Sequence, residues 1–240
     1  YTSQFYSLLF LIQTLKVDAI TANVMVIIAL ALATPFFIVF GSLSDRFGRK
    51  WIVLGGILLA AVSFNPAYKA LTHFANPALE RALAASPVVL VADPKECSFQ
   101  FNLTGTSRFT TSCDIAKQRL AQLSVSYTSE TGAPGTPATI KIGTRTVTLA
   151  ELPAAVQAAG YPARANPAEV NHVMVVLILF MLVLFLTMAY GPVAAMLVEL
   201  FPTRVRYTSM SLPYHLGTGW FGGLTPTLGF AMVAATGDIY

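Results

Sequence analysis

The sequence predicts an all-α membrane protein with a small α+β domain inserted between its transmembrane helices. The composition is 55% hydrophobic and 11% charged, with a mean hydropathy of +0.65, which is too apolar for a soluble globular protein. Several apolar runs approach the roughly 20 residues that a helix needs to cross a bilayer. Most of the charged residues lie together, in residues 68–171. Lipid is therefore the expected solvent for most of the chain outside that segment.

Five apolar runs are predicted to be transmembrane helices, because each holds few charges over a length close to the thickness of a bilayer. Glu199 is the one carboxylate among them and lies close to the end of its run. The runs are residues 1–15, 19–40, 51–67, 173–200 and 207–235. The first run is expected to be the remainder of a longer helix. Since the chain shows no initiator Met or signal peptide, we expect it to be a piece of a longer membrane protein.

Strand patterns in residues 68–171 predict the sheet of the inserted domain. The runs PVVLVAD (87–93) and SFQFNLT (98–104) are predicted to be strands. ATIKIGTRTVTL (138–149) is predicted to be a hairpin that turns at Gly143 and Thr144. Gly, Pro and Thr dominate TSETGAPGTPA (128–138), which is predicted to be a loop.

Two helices are predicted in the same segment. SCDIAKQRLAQL (112–123) is expected to begin at a Ser or Asp cap, and AELPAAVQAAG (150–160) is expected to be a short helix closed by Gly160. Both cysteines of the chain, Cys97 and Cys113, also lie here. A disulfide is the preferred interpretation, because no histidine lies near them to complete a metal site; free thiols and half of a metal site are the alternatives. A disulfide implies an oxidising compartment.

Basic residues in two short gaps predict the topology. The gap after the second run carries Arg46, Arg49 and Lys50, and the gap after the fourth carries Arg204 and Arg206. Short loops rich in Lys and Arg stay cytoplasmic. Alternating the chain across the membrane puts both gaps on the cytoplasmic side and the long charged segment on the other, so this segment is predicted to be extracytoplasmic.

A motif in the first gap identifies a family resemblance. GSLSDRFGRK (41–50) fits the pattern G-x-x-x-D-R-x-G-R-K and resembles the signature loop of the major facilitator superfamily. The matching residues are Gly41, Asp45, Arg46, Gly48, Arg49 and Lys50. LVELFPTRVRYTSMSLPYHLGTGWFGG (197–223) resembles the region joining the tenth and eleventh helices in the metabolite:proton symporter branch of that superfamily.

The resemblance implies a fold and an activity. Residues 1–67 resemble helices seven to nine of the family, residues 68–171 are an insertion, and residues 172–240 resemble helices ten and eleven. The implied activity is proton-coupled symport of a small metabolite, an organic acid or a betaine-like solute, by alternating access. The implied location is the bacterial inner membrane, with residues 68–171 in the periplasm. The implied partners are the lipid bilayer, the solute, the proton and an N-terminal half of the same chain, and no cofactor or metal is expected.

The resemblance also implies a conformational latch formed by the motif. Gly41 and Gly48 are expected to allow tight turning and close helix approach. Across Pro202, Glu199 is expected to meet Arg204 and Arg206 in a second latch. For the motif, the alternative is that its charges simply anchor topology. For Glu199 with Arg204 and Arg206, the alternative is an exposed pair that contributes little energy.

Polar groups within the apolar runs are the candidates for contact with solute or proton, since they are costly to place in lipid. Tyr6 and Gln13 are predicted to share a helix face. The imidazole of His215 could carry or sense the coupled proton, although His215 can equally be a neutral packing residue. The candidates are Gln4, Tyr6, Gln13, Tyr214 and His215.

Other function classes are less consistent with the sequence. The net charge of +4 is modest and the basic residues form no long patch, so nucleic acid is not an expected partner. The chain lacks H-E-x-x-H and G-x-S-x-G motifs and paired acids within a span, so it is not expected to be an enzyme. A membrane-anchored extracytoplasmic binding or sensor module stays as the alternative to a transporter.

Overall fold

The computed structural model describes residues 2–100 and 109–240 and is mostly helical. The helices are the π-helix Thr2–Tyr6, α1 (Ser7–Leu9), the π-helix Phe10–Thr14, α2 (Ala19–Phe47), α3 (Arg49–Ala75), α4 (Pro77–Ala85), the 3-10 helix Pro94–Glu96, α5 (Ser112–Gln122), α6 (Leu152–Ala158), α7 (His172–Tyr190), α8 (Val193–Leu200), α9 (Arg206–His215), the π-helix Leu216–Gly222 and α10 (Gly223–Thr236). The strands are β1 (Val88–Ala92), β2 (Tyr127–Thr131), β3 (Thr139–Ile142) and β4 (Arg145–Val147).

The chain divides into two compact units that alternate along the sequence. The first unit contains the described part of Tyr1–Leu8 together with Ala19–Leu71 and Asn171–Thr225. The second contains Leu9–Asp18, Thr72–Val170 and Pro226–Tyr240. The predicted division at residues 67 and 171 stays a prediction.

Three helices of the described chain are long and apolar enough to cross a membrane, namely Ala19–Phe47, Arg49–Ala75 and His172–Leu200, the last of which joins α7 and α8. Large apolar side chains on them, such as Ile20, Ile38 and Val62, are exposed. Because exposed apolar surface is unfavourable in water and favourable in lipid, these helices have the character of an integral membrane protein.

The other two predicted spans are not single α-helices of that length. The N-terminal run contains π-helical turns on both sides of α1, and the C-terminal run is divided into α9, a π-helix and α10. Residues 216–222 of that π-helix include three glycines, and π turns interrupt the regular i→i+4 bonding of an α-helix. Five transmembrane helices therefore stay a prediction.

The third predicted span, residues 51–67, lies within a longer helix. Pro66 is accommodated inside α3, which continues to Ala75. The helix ends before Asn76, which precedes Pro77 and is therefore disfavoured in the α conformation. The Asn76 side chain then accepts a hydrogen bond from the Leu79 backbone N–H at 3.0 Å and caps α4.

A small sheet lies in the second unit, with the strand order β2-β1-β3-β4. β1 pairs in parallel with β2 and antiparallel with β3, and α5 lies in the connection from β1 to β2. Val88, Leu90 and Ala92 alternate into the core of this unit. The predicted hairpin is confirmed, because β3 and β4 pair with Ile142 opposite Arg145, and Gly143 takes a left-handed φ of 59° in the turn.

Three local predictions in this unit are wrong. Residues 128–131 of the predicted loop belong to β2, because pairing with β1 satisfies their backbone groups. Residues 98–100 are not a strand: the Ser98 backbone and hydroxyl instead donate to the Asp114 carboxylate. The rest of that predicted strand, residues 101–104, lies outside the described residues.

The third wrong prediction concerns the cap of α5, which is Thr111 rather than Ser112 or Asp114. The Thr111 hydroxyl accepts a hydrogen bond from the Asp114 backbone N–H at 3.2 Å, so the cap lies one residue before Ser112 and the helix begins at Ser112. α6 agrees with its prediction: it ends at Ala158 and Gly160 follows with a φ of 90°.

Candidate functional site

The candidate site is a cluster of charged side chains where α2, α3 and α8 meet in the first unit. Arg49 Nη2 lies 3.2 Å from Asp45 Oδ1 and 2.7 Å from Glu199 Oε1. Asp45 belongs to the last turn of α2, Arg49 is the first residue of α3, and Glu199 is close to the end of α8. One guanidinium thus joins the first basic gap to the end of the apolar run that precedes the second.

Gly48 produces the local geometry of this cluster. It separates α2 from α3 with a φ of 89°, a conformation that favours glycine, and its N–H donates to the Ser44 carbonyl at 3.0 Å. Because α3 begins immediately afterwards, the Arg49 side chain returns to Asp45 on the preceding turn. Arg49 is 22% exposed whereas the Asp45 and Glu199 side chains are 63% and 61% exposed, so the cation is the more enclosed member of the cluster.

Close helix approach near the cluster depends on Gly56 and Gly191, which the sequence analysis did not identify. A Cβ on Gly56 would lie 2.8 Å from the backbone nitrogen of Ala189 in α7. A Cβ on Gly191 would lie 3.3 Å from the backbone oxygen of Phe37 in α2. At Gly41, where close approach was expected, a Cβ would meet no atom within 4 Å. The adjacent glycines Gly55 and Gly56, inside the apolar run 51–67, were the sequence signal that could have predicted the close approach of α3 to α7.

The remaining basic residues of the two gaps have other positions. Lys50 Nζ lies 5.9 Å from the centroid of the adjacent Trp51 ring. Arg206 Nε donates to the Phe201 backbone oxygen at 3.1 Å, because the end of α8 leaves this carbonyl without a helical partner. In the described chain the ion pair of Glu199 is made with Arg49, and the structure does not bring Glu199 together with Arg204 or Arg206 as predicted.

Tyr214 and His215 lie at the end of α9. The hydroxyl of Tyr214 lies 2.7 Å from that of Tyr190, at the end of α7, and therefore joins α9 to α7. The His215 ring packs edge-on against the Tyr214 ring with centroids 5.6 Å apart, and His215 is exposed. The two sequence candidates on this helix are thus adjacent, and Tyr190 is a third polar group that the sequence analysis did not select.

The N-terminal candidates are divided between the two units. Gln4 and Tyr6 belong to the first unit, where the Tyr6 ring packs edge-on against Tyr68 at 5.6 Å. Gln13 belongs to the second unit. The shared face predicted for Tyr6 and Gln13 assumed α-helical spacing, which does not apply to the π-helical turns that contain them.

The second unit contains the disulfide that the sequence favours, between Cys97 and Cys113. Asp114 follows it and accepts hydrogen bonds from Ser98 N and Oγ at 2.8 and 2.7 Å. Burial opposes the charged form of Asp114, but these and further hydrogen bonds outweigh burial and hold the pKa of its carboxyl below the ordinary value. Within the described residues, no three His, Cys, Asp or Glu side chains form a group that could hold a metal ion.

Comparison with known proteins finds similarity over a short part of the chain. A stretch of 51 residues, 21% of this chain, is 45% identical to a citrate-proton symporter of Salmonella typhi. A stretch of the same length is 41% identical to a citrate-proton symporter of Klebsiella pneumoniae. In both cases the chain spans 12% of the length of the relative. No family model matches the chain, and no solved structure matches it. The partial similarity supports a transporter of the proton-symporter kind.

Proposed function

We propose that this chain is part of a secondary active transporter that couples uptake of a small metabolite to proton movement. The observation that carries the proposal is the 45% identity over 51 residues to a citrate-proton symporter. The resemblance of residues 41–50 to the signature loop of the major facilitator superfamily agrees with it. We assign the chain to the metabolite:proton symporter branch of that superfamily, with an organic acid or a betaine-like solute as substrate.

In this proposal the chain provides the C-terminal half of the transporter, with five transmembrane helices in a bacterial inner membrane. Residues 68–171 form an inserted domain on the periplasmic side. An N-terminal half of the same longer chain completes the solute site at the interface of the two halves, where such transporters bind their substrates. Lipid, solute and proton are the remaining partners.

The Arg49 cluster acts as a conformational latch in this mechanism. It ties α2 and α3 to α8 in the conformation described here, through contacts of 3.2 Å to Asp45 and 2.7 Å to Glu199. Ion pairs exposed to this extent contribute roughly 0.2–1 kcal/mol. Such a pair biases one conformation while remaining weak enough to break in every transport cycle, as alternating access requires.

The proton-coupling candidate within the chain is His215. Its imidazole ring can accept a proton and contacts Tyr214, whose hydroxyl lies 2.7 Å from that of Tyr190 on α7. A proton on His215 would place a positive charge next to this link between α9 and α7. Protonation and the α7–α9 contact are therefore coupled in the proposal.

Uptake by the full-length protein in proteoliposomes tests this function. Radiolabelled citrate and glycine betaine are supplied with an imposed pH gradient, and the same vesicles are measured after a protonophore collapses the gradient. The proposal expects gradient-dependent accumulation of one of these solutes, reduced several-fold in His215→Ala but not in His172→Ala. Uptake that is insensitive to the protonophore would exclude proton coupling.

A membrane-anchored extracytoplasmic binding or sensor module is the second candidate function. It is favoured by a cavity of about 650 Å³ in the second unit, a volume suited to a small molecule. The same vesicles discriminate between the two. Solute binding without uptake of any tested solute, by a protein that is correctly folded, would support the module and exclude the transporter.

A further inference from the structure

The 650 Å³ cavity lies entirely within the second unit. Its wall includes residues around the π-helix Phe10–Thr14, residues of α5 and the turn after it, and residues of α10 from Pro226 onward. Small-molecule sites have volumes of about 300–1,000 Å³ and combine apolar walls with a few polar groups. This cavity has both, because its lining includes Phe230 and alanines of α10 as well as the amide side chains of glutamines.

The polar lining is positively charged. Lys16 is the one charged side chain among the described lining residues, and no described carboxylate lines the cavity. Four glutamines, Gln13, Gln100, Gln118 and Gln122, line the cavity, and the Gln100 amide already donates to the Asp114 backbone oxygen at 2.6 Å. Lys16 Nζ donates to the Gln122 backbone oxygen at 3.2 Å. Since an ammonium carries three N–H bonds, donors are left for a ligand.

The backbone of the lining is unusual at two positions. In the described chain, Lys16 and Ser124 are the non-glycine residues with positive φ, 57° and 60°, and both line this cavity. The Lys16 carbonyl accepts from Ala165 N at 3.1 Å, and the Ser124 hydroxyl donates to the Gln13 carbonyl at 3.0 Å. The surrounding structure thus maintains two unfavourable conformations at one site, an arrangement that is concentrated at ligand-binding sites.

We propose that this cavity binds a small carboxylate-bearing organic anion, with Lys16 as the counter-charge and Gln118 and Gln122 as hydrogen-bond donors. Phe230 and the neighbouring alanines cover the carbon skeleton of the ligand. Burial lowers the pKa of the Lys16 ammonium, so a carboxylate would replace hydration that the side chain has lost. All of the lining residues belong to the second unit, so the proposal does not rest on the proposed transport function.

Isothermal titration of the full-length protein in lipid nanodiscs tests the proposal. The probes are succinate and citrate, with uncharged glycerol as the comparison. Lys16→Gln removes the charge and is expected to weaken binding of the anions at least about tenfold, the loss of a charge-assisted hydrogen bond. Lys141→Gln is the matched control, because Lys141 is exposed on β3 and does not line the cavity. It is expected to leave affinity unchanged.

A milder variant keeps the test decisive if Lys16→Gln fails to fold. Gln118 is exposed on α5, where alanine is well tolerated, and Gln118→Ala is expected to weaken binding several-fold. The proposal is overturned if neither anion binds at millimolar concentration, if glycerol binds as tightly, or if folded variants keep full affinity. Anion binding that persists in a protein inactive in uptake would contradict the transport proposal and leave this one standing.

Discussion

The guanidinium of Arg49 lies 2.7 Å from the carboxylate of Glu199, which joins the start of α3 to the end of α8. Arg49 lies in the first of the two basic gaps that were predicted to be cytoplasmic, and Glu199 lies at the end of the predicted membrane helix that precedes the second. Their contact therefore joins the first gap to the end of that helix within the first unit. Asp45 completes the cluster from α2, so three helices converge on one cation.

The Arg49–Glu199 pair is expected to show measurable coupling. A double-mutant cycle with Arg49→Ala and Glu199→Ala should give a coupling free energy on the order of 1 kcal/mol, measured by unfolding in mixed micelles. The matched control is the cycle of Glu199→Ala with Arg204→Ala, which should give a value close to zero. Equal coupling in both cycles would contradict the observed pairing.

Gly48→Ala is expected to destabilise the protein by about 1–2 kcal/mol, because residue 48 has a φ of 89° and a Cβ is unfavourable there. Gly41→Ala is the matched control: Gly41 lies inside α2 and a Cβ would meet no atom within 4 Å. Alanine should be neutral or stabilising at that position. Thermal unfolding in detergent compares the two variants, and equal melting temperatures would show that the turn does not depend on glycine.

Gly56→Ala is expected to weaken the packing of α3 on α7 by about 1–3 kcal/mol, the typical effect of overpacking. The added Cβ would lie 2.8 Å from the backbone nitrogen of Ala189, which cannot move without shifting α7. At the neighbouring Gly55 the nearest atom is the flexible Met188 Cε at 3.9 Å, so Gly55→Ala should be tolerated. Thermal unfolding of both variants is the measurement, and a stable Gly56→Ala protein would contradict the close approach.

Local features could be predicted from the sequence because their causes are local. The alternating pattern of β1 and the glycine of the β3–β4 turn predicted a strand and a hairpin that the structure contains. β2 was missed because Gly, Pro and Thr predicted a loop, whereas its strand conformation comes from pairing with β1, which is distant in sequence.

The candidate site shows the same limit. The motif identified Asp45 and Arg49 as members of one short charged segment, and their contact comes from the left-handed turn at Gly48 between them. Glu199 was assigned to the wrong partners, because Arg204 and Arg206 are close in sequence while Arg49 is close in the fold. Gly56 and Gly191 were missed for a related reason. A glycine allows close helix approach only if it lies on the face that meets the neighbouring helix, and this face is set by the fold rather than by the local sequence.

Asp114 is expected to make the free energy of unfolding of the second unit vary with pH in the acid range. Its pKa lies below the ordinary value of about 3.9, so the unfolded chain binds the proton more readily than the folded chain. The stabilisation is therefore present above about pH 4 and is lost as the pH falls through the lower, folded pKa. Circular dichroism melts between pH 7 and pH 2 should show this loss. Asp114→Asn should flatten the dependence, whereas Glu130→Gln, on an exposed position of β2, should leave it unchanged.

The Cys97–Cys113 disulfide is expected to stabilise the second unit by about 3 kcal/mol, since it closes a loop between cysteines 16 residues apart. Reduction should lower the thermal unfolding midpoint of the full-length protein, and the double variant Cys97→Ser with Cys113→Ser should have the same lowered midpoint. Reductant should not change the double variant further, which separates loss of the bond from other effects of the reagent. A maleimide probe added after the protein is unfolded gives an independent measurement, because Cys113 is buried in the fold; it should label both thiols after reduction and neither before. Equal labelling with and without reductant would show that the two sulfur atoms are not joined in the protein.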